Sequence, residues 1–160
     1  MDRKHRAAAA AVLALPMALA GIRPGLATAS LSCEAEDKSL KFSAQAVVAH
    51  GMGESLSGFQ AEIEVLLKGV PEGLRKLELA GEHLTQHWLH DREVRLRMYR
   101  DGPGSEVAGS VELVVETKAV AKDEPEHKGR YVLTVSTPGA SPGAEGKTLK
   151  ARGRATCSVG

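Results

Sequence analysis

Phe59-Gln60-Ala61-Glu62-Ile63-Glu64-Val65-Leu66-Leu67 decides the fold of this 160-residue chain. Phe59, Ala61, Ile63, Val65 and Leu67 fall on one side of an extended chain. Gln60, Glu62 and Glu64 fall on the other, and Leu66 is the exception. Successive side chains of a strand point to opposite faces, so this spacing makes one dry face and one wet face. Strands of that kind belong to antiparallel sheets.

The same alternation recurs outward from this stretch in both directions. Leu40, Phe42, Ala44, Ala46 and Val48 form an earlier apolar face. Val94, Leu96 and Met98 alternate with Arg95, Arg97 and Tyr99. In 107–121, Val107, Val111, Leu113, Val115, Ala119 and Ala121 oppose Ser110, Glu112, Glu116 and Lys118. Tyr131, Leu133 and Val135 alternate with Val132, Thr134 and Ser136. At the C-terminus Leu149, Ala151, Gly153, Ala155, Cys157 and Val159 oppose Lys150, Arg152, Arg154, Thr156 and Ser158.

Turn residues punctuate these runs at Asp37-Lys38, Gly51-Met52-Gly53, Gly69–Gly73, Asp101–Gly104, Glu124–Glu126 and Pro138–Gly143. Short strands separated by turns every ten or so residues predict an all-β fold, a single antiparallel β-sandwich or barrel of about 7–9 strands. Residues 74–91 read two ways. Leu74, Leu77, Leu84 and Trp88 have helical spacing, which makes one short helix near 72–90 the competing reading. Gly73 and Gly81 weaken a helix. A strand Leu77–Leu79, followed by a hairpin with arms His83–Leu89 and Val94–Arg100, fits better.

Residues 1–29 read as a cleavable signal peptide, and 30–160 as one exported β domain. Arg3, Lys4, His5 and Arg6 precede the apolar run Ala7–Ala20, and Ala27-Thr28-Ala29 supplies a small-x-small cleavage site. The apolar run is too short for a spanning helix of about 20 residues. Ser30-Leu31-Ser32-Cys33 resembles a lipobox, but Ser30 stands where an aliphatic residue belongs and Cys33 lies far beyond the apolar run. No later segment has membrane-spanning length. The expected compartment is the periplasm or the exterior.

Without residues 1–29, which hold four Lys/Arg and one Asp, 17 basic residues face 19 acidic ones. That balance gives no support for nucleic-acid binding. Cys33 and Cys157 are the two cysteines, near the ends of the 131-residue mature part. In an exported protein an even count predicts a disulfide. It would make the first and last strands neighbours, or place them facing each other across the core.

Two sets of residues are candidates for function. His83, His87 and His90 are half of the six histidines and fall within eight residues. On a helix they share one face and would suit zinc or copper, which gives the reading of a periplasmic metal-binding protein. On a strand His83 and His87 lie about 13 Å apart and His90 points the other way, so a single metal is not held. Arg95 and Arg97, and Arg152 and Arg154, form two cationic stripes that leave the core together. They would merge into a binding surface for an anionic partner if their strands pair. The competing expectation is that Glu64, Glu112 and Glu116 on neighbouring strands balance them.

Neither G-x-S-x-G nor a phosphate-loop spacing occurs, and no cofactor motif is present. The expectation is a non-catalytic binding or inhibitory module whose partner is another envelope or extracellular protein. A cysteine just after the cleavage site and one just before the C-terminus resemble the layout of small exported β-barrel binders such as the periplasmic lysozyme inhibitors. That resemblance is one of architecture and assigns no residues.

Overall fold

A computed structural model of the chain describes residues 28–49, 55–90, 92–102, 109–121, 124–139 and 145–160. It is all-β, with nine antiparallel strands in one nearly closed, barrel-like sheet. The strands are β1 (Thr28–Glu36), β2 (Leu40–Ala49), β3 (Ser55–Val65), β4 (Lys76–Ala80), β5 (Leu84–His90), β6 (Glu93–Asp101), β7 (Ser110–Ala119), β8 (Glu126–Thr137) and β9 (Lys147–Val159). In space they run β4-β3-β2-β1-β9-β8-β7-β6-β5. The first and last strands are neighbours in the middle of this order, and their pairing joins the two halves of the sheet, whose edges are β4 and β5.

All eight ladders are antiparallel, yet β4 and β5, consecutive in sequence, form none with each other. Alternating direction around the sheet makes β4 and β5 run the same way. The chain therefore passes from β4 through a 3-10 turn, Gly81–His83, into β5 without reversing. The two short strands are halves of one stave, which leaves β3 and joins β6. An all-antiparallel ring needs an even number of staves, and β4–β5 counted as one meets that condition. No α-helix lies near 72–90. The helical spacing there resolves into two 3-10 turns, Glu72–Leu74 and Gly81–His83, flanking β4.

Inside the barrel lie the apolar faces read from the sequence: Phe42, Ala44 and Val48 of β2, Phe59, Ala61, Ile63 and Val65 of β3, and Leu96 and Met98 of β6. Leu113 and Val115 of β7, Tyr131 and Leu133 of β8, and Ala155 and Cys157 of β9 complete it. A ring of this size has an interior that side chains just fill. The β3–β4 connection covers one mouth, burying Val70 and Leu74. Gly109, at φ +142°, lets that happen, because a Cβ there would come within 2.9 Å of the Leu74 side chain and 2.6 Å of the Ser136 carbonyl.

Most of the segment read as a signal peptide, residues 1–27, lies outside the described residues. Thr28 and Ala29 form the start of β1, opposite Ala49 and Val48. The predicted turns at 51–53, 103–104 and 140–143 also lie outside the described residues. The turn at Asp37 is built by its carboxylate, whose Oδ1 accepts the amides of Ser39 at 2.7 Å and Leu40 at 3.2 Å.

Candidate functional site

Cys33 and Cys157 stand directly opposite each other in the β1–β9 ladder, with Cα atoms 4.0 Å apart, and are joined by a disulfide. Both are buried in the core. The bond staples the ladder that joins the two halves of the sheet, and that ladder is short. It pairs Leu31–Glu34 with Val159–Thr156, whereas β7 and β8 pair over the whole of Ser110–Ala119.

The three histidines are not brought together. His83 sits on the 3-10 turn, where its Nδ1 accepts the Ala80 amide at 3.0 Å. His87 lies opposite Leu96, on the face that turns inward, and His90 lies opposite Glu93, on the face that turns outward. A metal needs its ligand atoms about 2 Å from one point. Among the described residues no group of three His, Cys, Asp or Glu is placed to hold one.

The arginines fare differently. Strands β6 and β9 are not neighbours, so the two stripes do not merge by pairing; β7 and β8 stand between them. The registers nevertheless set all four arginines in two adjacent rows on one outer face. One row reads Trp88, Arg95, Glu116, Arg130, Arg154. The next reads Gln86, Arg97, Val114, Val132, Arg152, and beyond it stand Tyr99, Glu112, Thr134 and Lys150. These three rows hold six cations and two glutamates, and the flanking rows of the same face add Glu93 and Asp101, with Lys118 and Lys128.

Those glutamates engage only part of the set. Arg97 donates to Glu112 Oε2 at 2.6 Å, and Arg130 to Glu116 Oε2 at 2.9 Å. Arg95 turns along its own strand to Glu93, 2.7 Å away. Glu64, expected to balance the stripes, pairs instead with Lys76 on β4. Arg152, Arg154 and Lys150 are exposed, and none has a carboxylate within ion-pair distance among the described residues. Arg154 also faces a like charge, Arg130, directly across the β8–β9 ladder. Two exposed aromatic side chains, Trp88 and Tyr99, stand at the β5–β6 end of the same face.

Sequence reasoning missed this aromatic end. Trp88 has the spacing of a core stripe only if the segment is helical. As an edge-strand residue opposite Arg95 it points outward.

Adjoining the arginine face, the outer surface of β1–β4 carries a shallow concavity of about 960 Å³, lined also by Arg100 and by Arg154 of that face. Glu34, Ser43, Glu62 and Glu78 form one cross-strand row there. Glu36–Lys41 and Glu64–Lys76 ion pairs form the next. Its lining is mixed in charge, five glutamates against Lys41, Lys76, Arg100 and Arg154. Among the described residues no helix is long and apolar enough to cross a membrane. Comparison with protein-family models, curated proteins and solved structures gave no match to this chain.

Proposed function

We propose that the chain is an exported, non-catalytic binding module that holds an acidic surface of another envelope or extracellular protein against the outer face of β6–β9. The observation that carries this reading is the cross-strand placement of Arg95, Arg97, Arg130, Arg152, Arg154 and Lys150, with Glu112 and Glu116 the only acids in the same three rows. Arginine forks match carboxylates bidentately. Arginine with tryptophan and tyrosine is also the residue set that dominates protein interfaces. Outward Val114 and Val132 give the patch an apolar floor between the two arginine stripes.

Export is supported by the basic and apolar segment 1–29 and by the disulfide, which persists in oxidising compartments. The module reading is tested by binding to immobilised poly-L-glutamate, with inorganic polyphosphate as competitor. Binding that weakens with salt, resists polyphosphate and is lost in an Arg152→Glu, Arg154→Glu variant supports it. Failure to bind poly-L-glutamate at low salt overturns it.

A further inference from the structure

We infer that the free edge of β5 takes up an extended acidic segment of the partner protein as an added strand, completing the sheet where the barrel is left open. The inference rests on the binding-module reading and specifies how the partner is held.

Three observations carry it. First, β5 is the terminal strand of the sheet, bonded to β6 alone. Backbone N–H and C=O groups at such an edge are a template for a further strand. The other sheet edge, β4, is spanned by Arg100, whose guanidinium donates to the carbonyl of Glu78. No such bridge crosses Gln86–Leu89 among the described residues. A bulge between Leu84 and Gln86 confines the regular edge to the lower part of β5.

Second, Leu84-Thr85-Gln86-His87-Trp88-Leu89-His90 holds no Lys, Arg, Asp, Glu or Pro, in a chain that is 26% charged. Edges that must stay unpaired usually carry such residues. Thr85, Gln86, His87 and Trp88 are all exposed, so side chains do not bury this edge from either face.

Third, charge selects the occupant. Arg95 and Arg97 lie directly opposite Trp88 and Gln86. An added strand would run two strand spacings, about 10 Å, from them. Glutamates on its outer face and the arginines close that distance by reaching towards each other. The ion pairs Arg95 and Arg97 now make are surface pairs of little strength and can be exchanged. A second copy is a poorer occupant. Its own β5 brings no acid, and its β4, with one lysine and one glutamate, carries no net charge and has its edge spanned by Arg100.

The test uses the purified protein and the peptide acetyl-(Glu-Val)4-amide. Trp88, the single tryptophan, reports binding by fluorescence, and amide exchange reads the edge. The expected result is a shift in Trp88 emission and slowed exchange at Gln86–Leu89. N-methylation of alternate peptide nitrogens should weaken binding about tenfold or more, as loss of several hydrogen bonds requires. The (Lys-Val)4 peptide should not compete. Equal binding of methylated and unmethylated peptides, with exchange unchanged, overturns strand addition and leaves the acid-binding face standing. No binding of either peptide or of poly-L-glutamate overturns both. Slowed exchange without peptide that grows with protein concentration assigns the edge to a second copy and overturns the inference.

Discussion

The hydroxyl of Tyr131 donates to Oδ2 of Asp37 at 2.7 Å, joining the middle of β8 to the β1–β2 turn across 94 residues of chain. Tyr131 is fully buried, and this bond satisfies its polar end. Gly153, opposite Tyr131 in the β8–β9 ladder, makes the approach possible. A Cβ there would collide with both the tyrosine ring and the Asp37 carboxylate.

Asp37→Ala leaves the Tyr131 hydroxyl and the Ser39 and Leu40 amides without their acceptor. It should cost about 1–3 kcal/mol, the usual penalty for stranding a buried polar group. Urea unfolding measures it, and a loss well under 0.5 kcal/mol would mean water replaces the carboxylate.

The same pair sets a pH dependence. At Asp37, burial alone pushes the carboxyl up. The bonds from Tyr131 and from the Ser39 and Leu40 amides, with the charge of Lys38, outweigh it and hold the group below the usual 3.8. A lowered acid contributes stability that is full above about pH 4 and is lost as pH falls through its native value. Burial first, then the bond to Asp37 and its negative charge, push the Tyr131 phenol above its usual 10, while a bond from Ser39 acts the other way. Its contribution is full below pH 10 and is lost as pH rises beyond. Melting temperature should therefore fall more steeply in wild type than in Asp37→Asn below pH 4. It should fall more steeply in wild type than in Tyr131→Phe above pH 10. Parallel curves would contradict the assignment.

Gly153→Val should destabilise by about 1–3 kcal/mol, because added carbon atoms in packed surroundings force the ring and carboxylate apart. Gly153→Val combined with Tyr131→Ala should recover part of the loss, since the ring is what the new side chain meets. Additive losses in a double-mutant cycle would show that Gly153 matters for another reason.

Cys33→Ala should cost about 2–5 kcal/mol, in keeping with a crosslink that encloses 124 residues. Because the β1–β9 ladder is short, the loss should be felt first there. Amide exchange at Leu31–Glu34 and Thr156–Val159 should quicken before that of β7 and β8. Uniform quickening would mean that the barrel opens only as a whole.

The strands were legible wherever one face is apolar and the other charged, as in Phe59–Val65, Val94–Met98 and Val111–Ala119. The pairing of the first and last strands was legible from Cys33 and Cys157, but the edges left at β4 and β5 were not. The opening of β8 was not, because Glu126–Arg130 offers only His127 to the interior. The β4–β5 stave was legible as strands but not as one broken element, since parity of direction appears only when the whole ring is counted. Tyr131–Asp37 and the joining of two arginine stripes into one face depend on register across strands distant in sequence. No local spacing encodes that register.

The arginine face yields the sharpest contrast between structural and binding roles. Arg97 is ion-paired with Glu112, so Arg97→Glu sets two like charges across a ladder and should cost roughly 0.5–1 kcal/mol. The pair is exposed, which keeps the figure small. Arg154 faces Arg130 instead, with no acid in contact among the described residues. Arg154→Glu converts a repulsion into an attraction and should leave the melting temperature unchanged or slightly raised. Both changes remove two units of charge difference from the same face, so both should weaken binding to poly-L-glutamate by a similar factor. If Arg154→Glu destabilises as much as Arg97→Glu, Arg154 has a structural partner and its role in binding loses its basis. If it stabilises and binding is untouched, the face is a solvated surface, and the contact lies on another part of the barrel.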